Sequence, residues 1–177
     1  MADALSPANV CARCAERSGT CCSLTPGDEE FCFPLSALER ARMEANGAGP
    51  GHFVRQENTR GFVDNLCRLF PGEDAALRGQ FPPDAAHDRL ALAPAGECLL
   101  RGPEGCILPQ EARPLYCRLF PFWVRGGRQM YFEFSQCQAL LEGRGAAGLL
   151  RRLGMTEALV RELYRELRRA WGLPERA

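Results

Sequence analysis

The chain has 177 residues, of which 46% are hydrophobic and 25% are charged. It is therefore long enough to bury a core without cross-links and too apolar to be disordered. Its 22 basic residues, all arginine, are matched by 22 acidic ones. This balance disfavours nucleic-acid binding, which needs a basic surface to neutralise phosphates. The absence of lysine and the abundance of alanine and glycine indicate a GC-rich, bacterial genome.

The N-terminal residues Met1–Pro7 have no basic region and no apolar run, so no secretory signal is predicted. No stretch approaches the ~18 consecutive apolar residues of a membrane span. We therefore expect a cytoplasmic protein without a membrane partner. The ten cysteines need an explanation, because thiols stay reduced in the cytoplasm. Metal binding is the explanation that this compartment favours.

Elements are predicted in chain order from capping and periodicity. Residues 1–33 are small and polar around their cysteines and are predicted to form loops and turns. Ser36 and Glu39 have the spacing of a capping box, which predicts a helix over 36–46. Apolar residues at helical spacing predict a second helix over 59–70. Residues 71–86 are expected to form a connecting loop, with one helical turn over Asp74–Arg78.

The second half is predicted to mix strands and helices. Residues 98–108, with a turn at 101–105, are expected to form a short β-hairpin, and 129–134 a strand after the Gly126-Gly127 turn. Ser135 and Gln138 suggest a capping box for a helix that ends at 143–148. A final helix begins at Thr156 and has an apolar face.

The predicted fold is a single α-rich α+β domain over residues 1–177, with a short antiparallel element and long cysteine-bearing loops organised around metal. We expect its metal-binding region to cover about 11–137 and a C-terminal helical extension to cover about 138–177. The extension is expected to serve packing.

The spacing of the cysteines indicates which of them could bind a metal ion. Cys11 and Cys14 form a Cys-x-x-Cys pair, a spacing that can direct two thiolates at one ion. The adjacent pair Cys21-Cys22 follows, and its side chains diverge towards different metals or opposite sides of one cluster. Eight thiols fit two four-thiolate sites, or one such site with additional thiols. The predicted ligands are Cys11, Cys14, Cys21, Cys22, Cys98, Cys106, Cys117 and Cys137.

These cysteines, together with the stretch from Arg113 to Pro121 (Arg-Pro-Leu-Tyr-Cys-Arg-Leu-Phe-Pro), resemble the YkgJ-type CxxCxxCC cysteine-cluster family. Its members are described as zinc- or iron-chelating proteins. The chain departs from the family in one gap, with six residues before Cys21-Cys22 where the family has two. The resemblance covers about Cys11 to Cys137 and implies metal binding by the eight matched cysteines.

The metal is expected to be zinc or iron, including an iron–sulfur cluster, because all-thiolate sites accept either. One alternative is an iron–sulfur-dependent redox or protein-modifying enzyme, since flagellin lysine methylases have a related cysteine cluster. Another is a thiol–disulfide oxidoreductase using Cys11 and Cys14, although no βαβ pattern surrounds them. Whether the protein catalyses a reaction, and which protein partner it has, stay open.

The remaining candidates have simpler interpretations. Cys32 is predicted to be a structural thiol, and Cys67 to pack on the apolar face of its helix. His52 and His87 are expected to be ordinary surface or loop residues. Arg101, Arg113 and Arg118 lie near predicted ligands in the sequence and are expected to offset sulfur charge. Residues 120–123 are expected to be core.

Overall fold

Residues 7–15 and 21–174 are described by the structure, a computed structural model. The described part is an α+β fold in which helices predominate, as predicted. Its α-helices are α1 (Pro7–Ala15), α2 (Ala37–Glu44), α3 (Arg60–Leu69), α4 (Asp74–Gln80), α5 (Leu115–Leu119), α6 (Gln138–Glu142), α7 (Gly145–Arg152) and α8 (Glu157–Ala170). Its strands are β1 (Phe53–Glu57), β2 (Ala86–Leu90), β3 (Arg101–Gly102), β4 (Gly105–Cys106), β5 (Phe122–Arg125) and β6 (Arg128–Tyr131).

Hydroxyl side chains begin three of the predicted helices. Ser36 accepts a hydrogen bond from the Glu39 amide, and the Glu39 side chain accepts one from the Ser36 amide, which completes the capping box of α2. The Thr59 hydroxyl accepts a hydrogen bond from the Phe62 amide at the start of α3, and the Thr156 hydroxyl accepts one from the Leu159 amide at the start of α8. These caps satisfy amides that have no partner inside the helix. Local sequence therefore placed these three helices correctly.

The predicted helical turn over Asp74–Arg78 is present as the first part of α4, whereas three other helical segments differ from the prediction. The Cys11–Cys14 segment is not a loop but lies in α1, whose Val10 is 3% exposed and packs into the main core. Helix α6 begins after Cys137 and has no side-chain cap, so the capping box at Ser135 is wrong. Helix α7 starts inside the segment that was expected to end a helix. Tertiary packing overrides weak local signals in such short elements.

Three separate antiparallel pairs make up the described sheets. The pair β1–β2, in which Arg55 is opposite Asp88, was not predicted, because its strands are about 30 residues apart and carry polar residues. A hairpin is present where it was predicted, as β3–β4 with Arg101 opposite Cys106, but its strands lie mostly within residues 101–105, which were expected to form the turn. The first half of the predicted strand 129–134 is confirmed as part of β6, which pairs with β5, whereas residues 132–134 are not in a strand. Gly126 and Gly127 supply the positive φ angles of that turn.

Two hydrophobic clusters share the partly buried Tyr116. The main core joins α3, α4, β5 and α8, and Phe122 and Trp123 are buried in it, as predicted. The second core lies beneath α2 and the hairpin and includes Met43, Leu100 and Leu108. The C-terminal helix thus belongs to the main core, where Arg168 and Glu73 form a buried ion pair. Each described helix is too short or too polar to cross a bilayer.

Candidate metal centre

All ten cysteines lie among the described residues, and each is a free thiol. The eight predicted ligands fall into three groups. We call Cys11, Cys14 and Cys137 the helix set, because α1 carries the first two and α6 begins just after the third. We call Cys98, Cys106 and Cys117 the hairpin set. Cys21 and Cys22 are the vicinal pair.

The helix set is brought together where α1 meets α6. Cys11 and Cys14 are one turn apart, so both lie on one face of α1. A guanidinium nitrogen of Arg13 lies 2.7 Å from a carboxylate oxygen of Glu142, which holds α1 against α6. Burial raises the pKa of Cys137, and a charge on Cys14 adds to that rise. These two thiols are therefore within electrostatic range of each other.

The hairpin set surrounds the backbone of Cys22. The Cys98 amide donates a 2.7 Å hydrogen bond to the Cys22 carbonyl, next to a bridge between Ser23 and Glu97. Burial raises the pKa of Cys98 to about 12, and it also raises the pKa of Cys106 and of Cys117, the latter well above the ordinary value. In all three, a charge on Cys22 contributes to the rise. Cys22 therefore lies near every member of this set.

The two sets adjoin through Gly105. A Cβ atom built on Gly105 would lie 3.5 Å from the Cys11 carbonyl oxygen and 3.8 Å from the Cys11 Cβ. Gly105 also has φ of +103°, a conformation that disfavours other residues. The Arg101 guanidinium donates to the Ala15 carbonyl at the end of α1. The helix and hairpin sets thus line one region of the molecule.

The vicinal pair shares a hydrogen bond. Cys21 donates its S–H to the Cys22 sulfur, which raises the pKa of Cys21 and lowers the pKa of Cys22 to about 7. Burial opposes the shift at Cys22, and the Arg101 and Arg113 guanidiniums reinforce it. Cys21 is exposed and Cys22 is partly buried. Cys22 is consequently the thiol that most readily becomes a thiolate in this group.

Two arginines supply positive charge to the thiols. Burial raises the pKa of Cys11 and Cys106, and the Arg113 guanidinium opposes the rise in both. Arg113 is held by a 3.0 Å hydrogen bond to the Leu108 carbonyl, in keeping with its predicted role. Arg118 instead has Arg42, Glu166, Glu111 and Glu39 as its charged neighbours. Arg101 was also expected to offset sulfur charge, and it lies opposite Cys106 in the hairpin with its charge near Cys22.

Cys32 is a ninth thiol near the cluster. It is 7% exposed, which agrees with a structural thiol. Its charge contributes to the raised pKa of Cys98, after burial and the charges of Cys22 and Cys106. The segment that follows Cys32 is tied to β2, because the Leu35 amide donates to the Asp88 carbonyl at 2.7 Å. The spacing of the cysteines in the sequence does not predict that Cys32 lies near Cys98.

Cys67 and the two histidines lie apart from these thiols. Cys67 packs against the main core as predicted, and its charged neighbours are Asp74, Arg78 and Asp64. His52 accepts a hydrogen bond from the Gly49 amide within a short turn. The prediction for His87 is wrong, because its ring is 4% exposed and stacks on Phe62 at 4.0 Å. Hydrophobic partners from other elements bury it.

A cavity of about 460 Å³ opens elsewhere, between the end of β1 and helices α3 and α4. Its charged lining residues, Arg60 and Arg78, both pair with Asp64. None of its lining residues is a cysteine. The cavity and the thiols are therefore different features of the molecule.

The donor chemistry of the eight thiols suits zinc or iron, which bind thiolates well. Within residues 7–15 and 21–174, however, no three Cys, His, Asp or Glu side chains are arranged to hold a metal ion. Cysteine reaches its sulfur through one rotatable bond, and χ1 has three staggered positions. To bind a metal ion, these cysteines would therefore have to change their χ1 rotamers. The backbone segments that carry them already lie next to each other.

Comparison with known proteins adds no relative: no family model, no curated protein and no solved structure is significantly similar to the chain. The resemblance to the YkgJ-type family therefore rests on the cysteine spacing and the Arg113–Pro121 stretch alone.

Proposed function

We propose that this protein is a cytoplasmic metal-binding protein of the YkgJ type that coordinates zinc or iron through cysteine thiolates. The observation that carries the proposal is the grouping of the helix set, the hairpin set and the vicinal pair in one region. They come from segments as far apart as Cys11 and Cys137. Eight thiols collected in this way are more than a core needs for packing, and thiolates are strong ligands for both metals.

Charge supports the same proposal. A four-thiolate site with zinc carries about two net negative charges. Arg101 and Arg113 lie within electrostatic range of the thiols and would offset part of this charge. Burial holds several of the thiols protonated in the metal-free protein. Metal binding would replace those protons, so affinity should rise with pH.

The sulfur environment argues against the thiol–disulfide oxidoreductase. The attacking cysteine of a Cys-x-x-Cys enzyme has a lowered pKa. Here burial raises the pKa of Cys11. The iron–sulfur alternative, including a redox or protein-modifying enzyme, would use the same cysteine ligands as zinc binding. Analysis of the bound metal and sulfide therefore distinguishes the two.

The test is metal and acid-labile sulfide analysis of protein isolated without oxygen. We expect stoichiometric zinc or iron; iron with sulfide and a visible charge-transfer band that dithionite bleaches would identify a cluster. Cys117→Ser should lower the metal content, whereas Cys67→Ser should retain it, because Cys67 lies away from the other thiols. Wild-type protein that binds neither metal after anaerobic reconstitution would refute the proposal.

A further inference from the structure

Cys22 and Cys98 lie opposite each other in a short antiparallel pairing of two chain segments. Ser23 and Glu97 form an antiparallel bridge at its centre. On one side of this bridge the Cys98 amide donates a 2.7 Å hydrogen bond to the Cys22 carbonyl. On the other side the Leu24 amide donates a hydrogen bond of 2.9 Å to the opposite segment. These two bonds fix the register and make Cys22 the residue opposite Cys98.

This register brings the two cysteine side chains together. Residues directly opposite in an antiparallel pair have their side chains on the same face of the pair. Cys22 and Cys98 therefore share one face, and Ser23 and Glu97 share the other. Opposite residues have Cα atoms about 4.5–5.5 Å apart, and a disulfide spans about 4.4–6.8 Å between Cα atoms. The backbone thus already has the spacing that a disulfide needs.

The segment that carries Cys98 is held from its other side as well. Leu92 and Cys98 form a second antiparallel bridge, and the Leu99 amide donates to the Ala91 carbonyl at 3.1 Å. Leu100, two residues further on, is 1% exposed in the second core. Cys98 is therefore fixed in place. Cys22 and Cys98 are each only partly buried, so a small reagent has access to the pair.

Other thiols are less suited to a disulfide with Cys22. Cys21 is adjacent in sequence, and consecutive Cα atoms are about 3.8 Å apart, which is below the range that disulfides usually span. Cys106 lies opposite Arg101 in the hairpin, and Cys117 lies in helix α5. Neither is placed opposite Cys22 by backbone pairing. The register therefore selects Cys98.

We propose that Cys22 and Cys98 are a redox pair, which forms a reversible cross-strand disulfide by exchange with a small-molecule disulfide such as glutathione disulfide. The inference goes beyond the proposed function, because it needs two thiols and no metal. In a reducing compartment such a bond is transient and serves redox sensing or catalysis. Both cysteines are also proposed metal ligands, so oxidation would remove two ligands from the metal centre.

The oxidation proceeds by two exchange steps. One of the two cysteines loses its proton to water, and its thiolate attacks glutathione disulfide, so that a mixed disulfide forms and one glutathione thiolate leaves. The second cysteine loses its proton and attacks the protein sulfur of the mixed disulfide, which releases the second glutathione. The protein loses two electrons and two protons, and one glutathione disulfide becomes two glutathione molecules. The register supplies the second sulfur beside the first.

The test is disulfide mapping of the metal-free, full-length protein in a glutathione redox buffer. After the remaining thiols are blocked with iodoacetamide, trypsin releases residues 18–40, with Cys21, Cys22 and Cys32, and residues 90–101, with Cys98 alone. We expect these two peptides to be joined by a bond that dithiothreitol breaks, and fragmentation should assign it to Cys22. A bond from Cys98 to another cysteine, or no joined peptides, would overturn the proposal.

Serine variants and urea separate the folded register from chance pairing. Cys22→Ser should abolish the linkage to residues 90–101, whereas Cys21→Ser and Cys32→Ser should retain it. Concentrated urea removes the register, so linkage of the same pair should fall at least about tenfold in the same redox buffer. Linkage that survives Cys22→Ser, or that is equal in native and unfolded protein, would contradict the assignment.

The wild-type mapping does not depend on whether any variant folds. It also stands apart from the metal analysis, because the mapped protein contains no metal. Protein that binds zinc or iron but never joins Cys22 to Cys98 would refute the redox pair and leave the proposed function intact. Protein that forms this disulfide but binds neither metal would do the reverse.

Discussion

Cys22 differs from the other thiols because a neighbouring side chain stabilises its thiolate. The Cys21 thiol donates a hydrogen bond to it, and two guanidiniums lie within electrostatic range, which lowers its pKa to about 7. The members of the hairpin set have raised pKa values instead, chiefly through burial. Local hydrogen bonding thus distinguishes one thiol within a crowded group.

In metal-free protein, alkylation of Cys22 by iodoacetamide should accelerate as the pH rises through about 7. Cys21→Ala removes the hydrogen-bond donor, so the midpoint should move up towards the ordinary thiol value of about 8.5. The measurement is the pH dependence of alkylation, mapped to the Cys22 peptide by mass spectrometry. Cys67→Ala is the control, and an unmoved midpoint in Cys21→Ala would count against the hydrogen bond.

His87 is a buried histidine whose tautomer is fixed by its neighbours. The Asn58 amide nitrogen donates to the Pro82 carbonyl at 2.9 Å, so the Asn58 oxygen faces His87 Nδ1 at 2.8 Å. Nδ1 therefore donates, and Nε2 is a buried acceptor without a hydrogen-bond partner. Burial lowers the pKa of His87 to about 4; Arg89 and Arg55 act in the same direction, and Asp88 opposes them.

This lowered pKa predicts a loss of stability in acid. The unfolded chain binds the proton near pH 6.5 and the folded protein only near pH 4, so stability is full above 6.5 and falls between these values. The loss should reach about 3 kcal/mol below pH 4. His87→Gln removes the titration and should flatten this part of the curve, measured by urea unfolding at several pH values. Equal slopes in both proteins would refute it.

At the scale of elements, Glu39 connects helix α2 to the helix that carries Cys117. Its side chain is 1% exposed. One carboxylate oxygen accepts from the Ser36 amide at 3.0 Å, and the other accepts from the Leu115 amide at 2.8 Å, where α5 begins. A capping residue recognised from sequence therefore also positions a second helix.

Removing the Glu39 carboxylate should lower the free energy of unfolding more than removing an ordinary helix cap. Glu39→Ala leaves two amides without their acceptor and should lower the free energy of unfolding by about 3 kcal/mol. Ser36→Ala should cost about 1 kcal/mol, the usual value for an N-cap. Urea denaturation measures both. Glu44→Ala is the control, because the exposed pair of Glu44 with Arg40 should contribute less than about 0.5 kcal/mol; equal losses for Glu39 and Ser36 would exclude the connecting role.

For the whole molecule, the two cores differ in their dependence on the thiols. The second core has Cys98, Cys106 and Cys117 packed against it. The main core contains Cys137 and has Cys11 packed against it, but most of it consists of large side chains from α3, β5 and α8, including Phe62 and Trp123. A structural zinc site contributes of order 10 kcal/mol to folding. Metal should therefore stabilise the second core more than the main core.

Removal of metal by a chelator should speed amide hydrogen exchange around residues 97–117 and in α1. Exchange in α3 and α8 should change far less, because their amides are protected by the main core. Hydrogen-exchange mass spectrometry compares the loaded and chelated protein, with the Cys67→Ser protein treated identically as a control. A uniform increase over the whole chain would show that both cores depend on the metal.

A repeated motif shows where sequence information ends. The letters Cys-Arg-Leu-Phe-Pro occur at 67–71 and at 117–121, and each copy runs through the end of a helix, α3 or α5. Both copies are therefore helical up to their leucine. Cys117 nevertheless lies near Cys22 and Cys98, whereas Cys67 has acidic neighbours and Arg78.

The sequence by itself determined the α-rich class, the capped helices α2, α3 and α8, and the glycine turn between β5 and β6. Each depends on interactions within a few residues. Tertiary structure alone decided the β1–β2 pairing, the burial of His87, the charged neighbours of Arg118, and the proximity of Cys32 to Cys98. These depend on contacts between segments tens of residues apart, whose geometry local hydrogen bonding and periodicity do not encode.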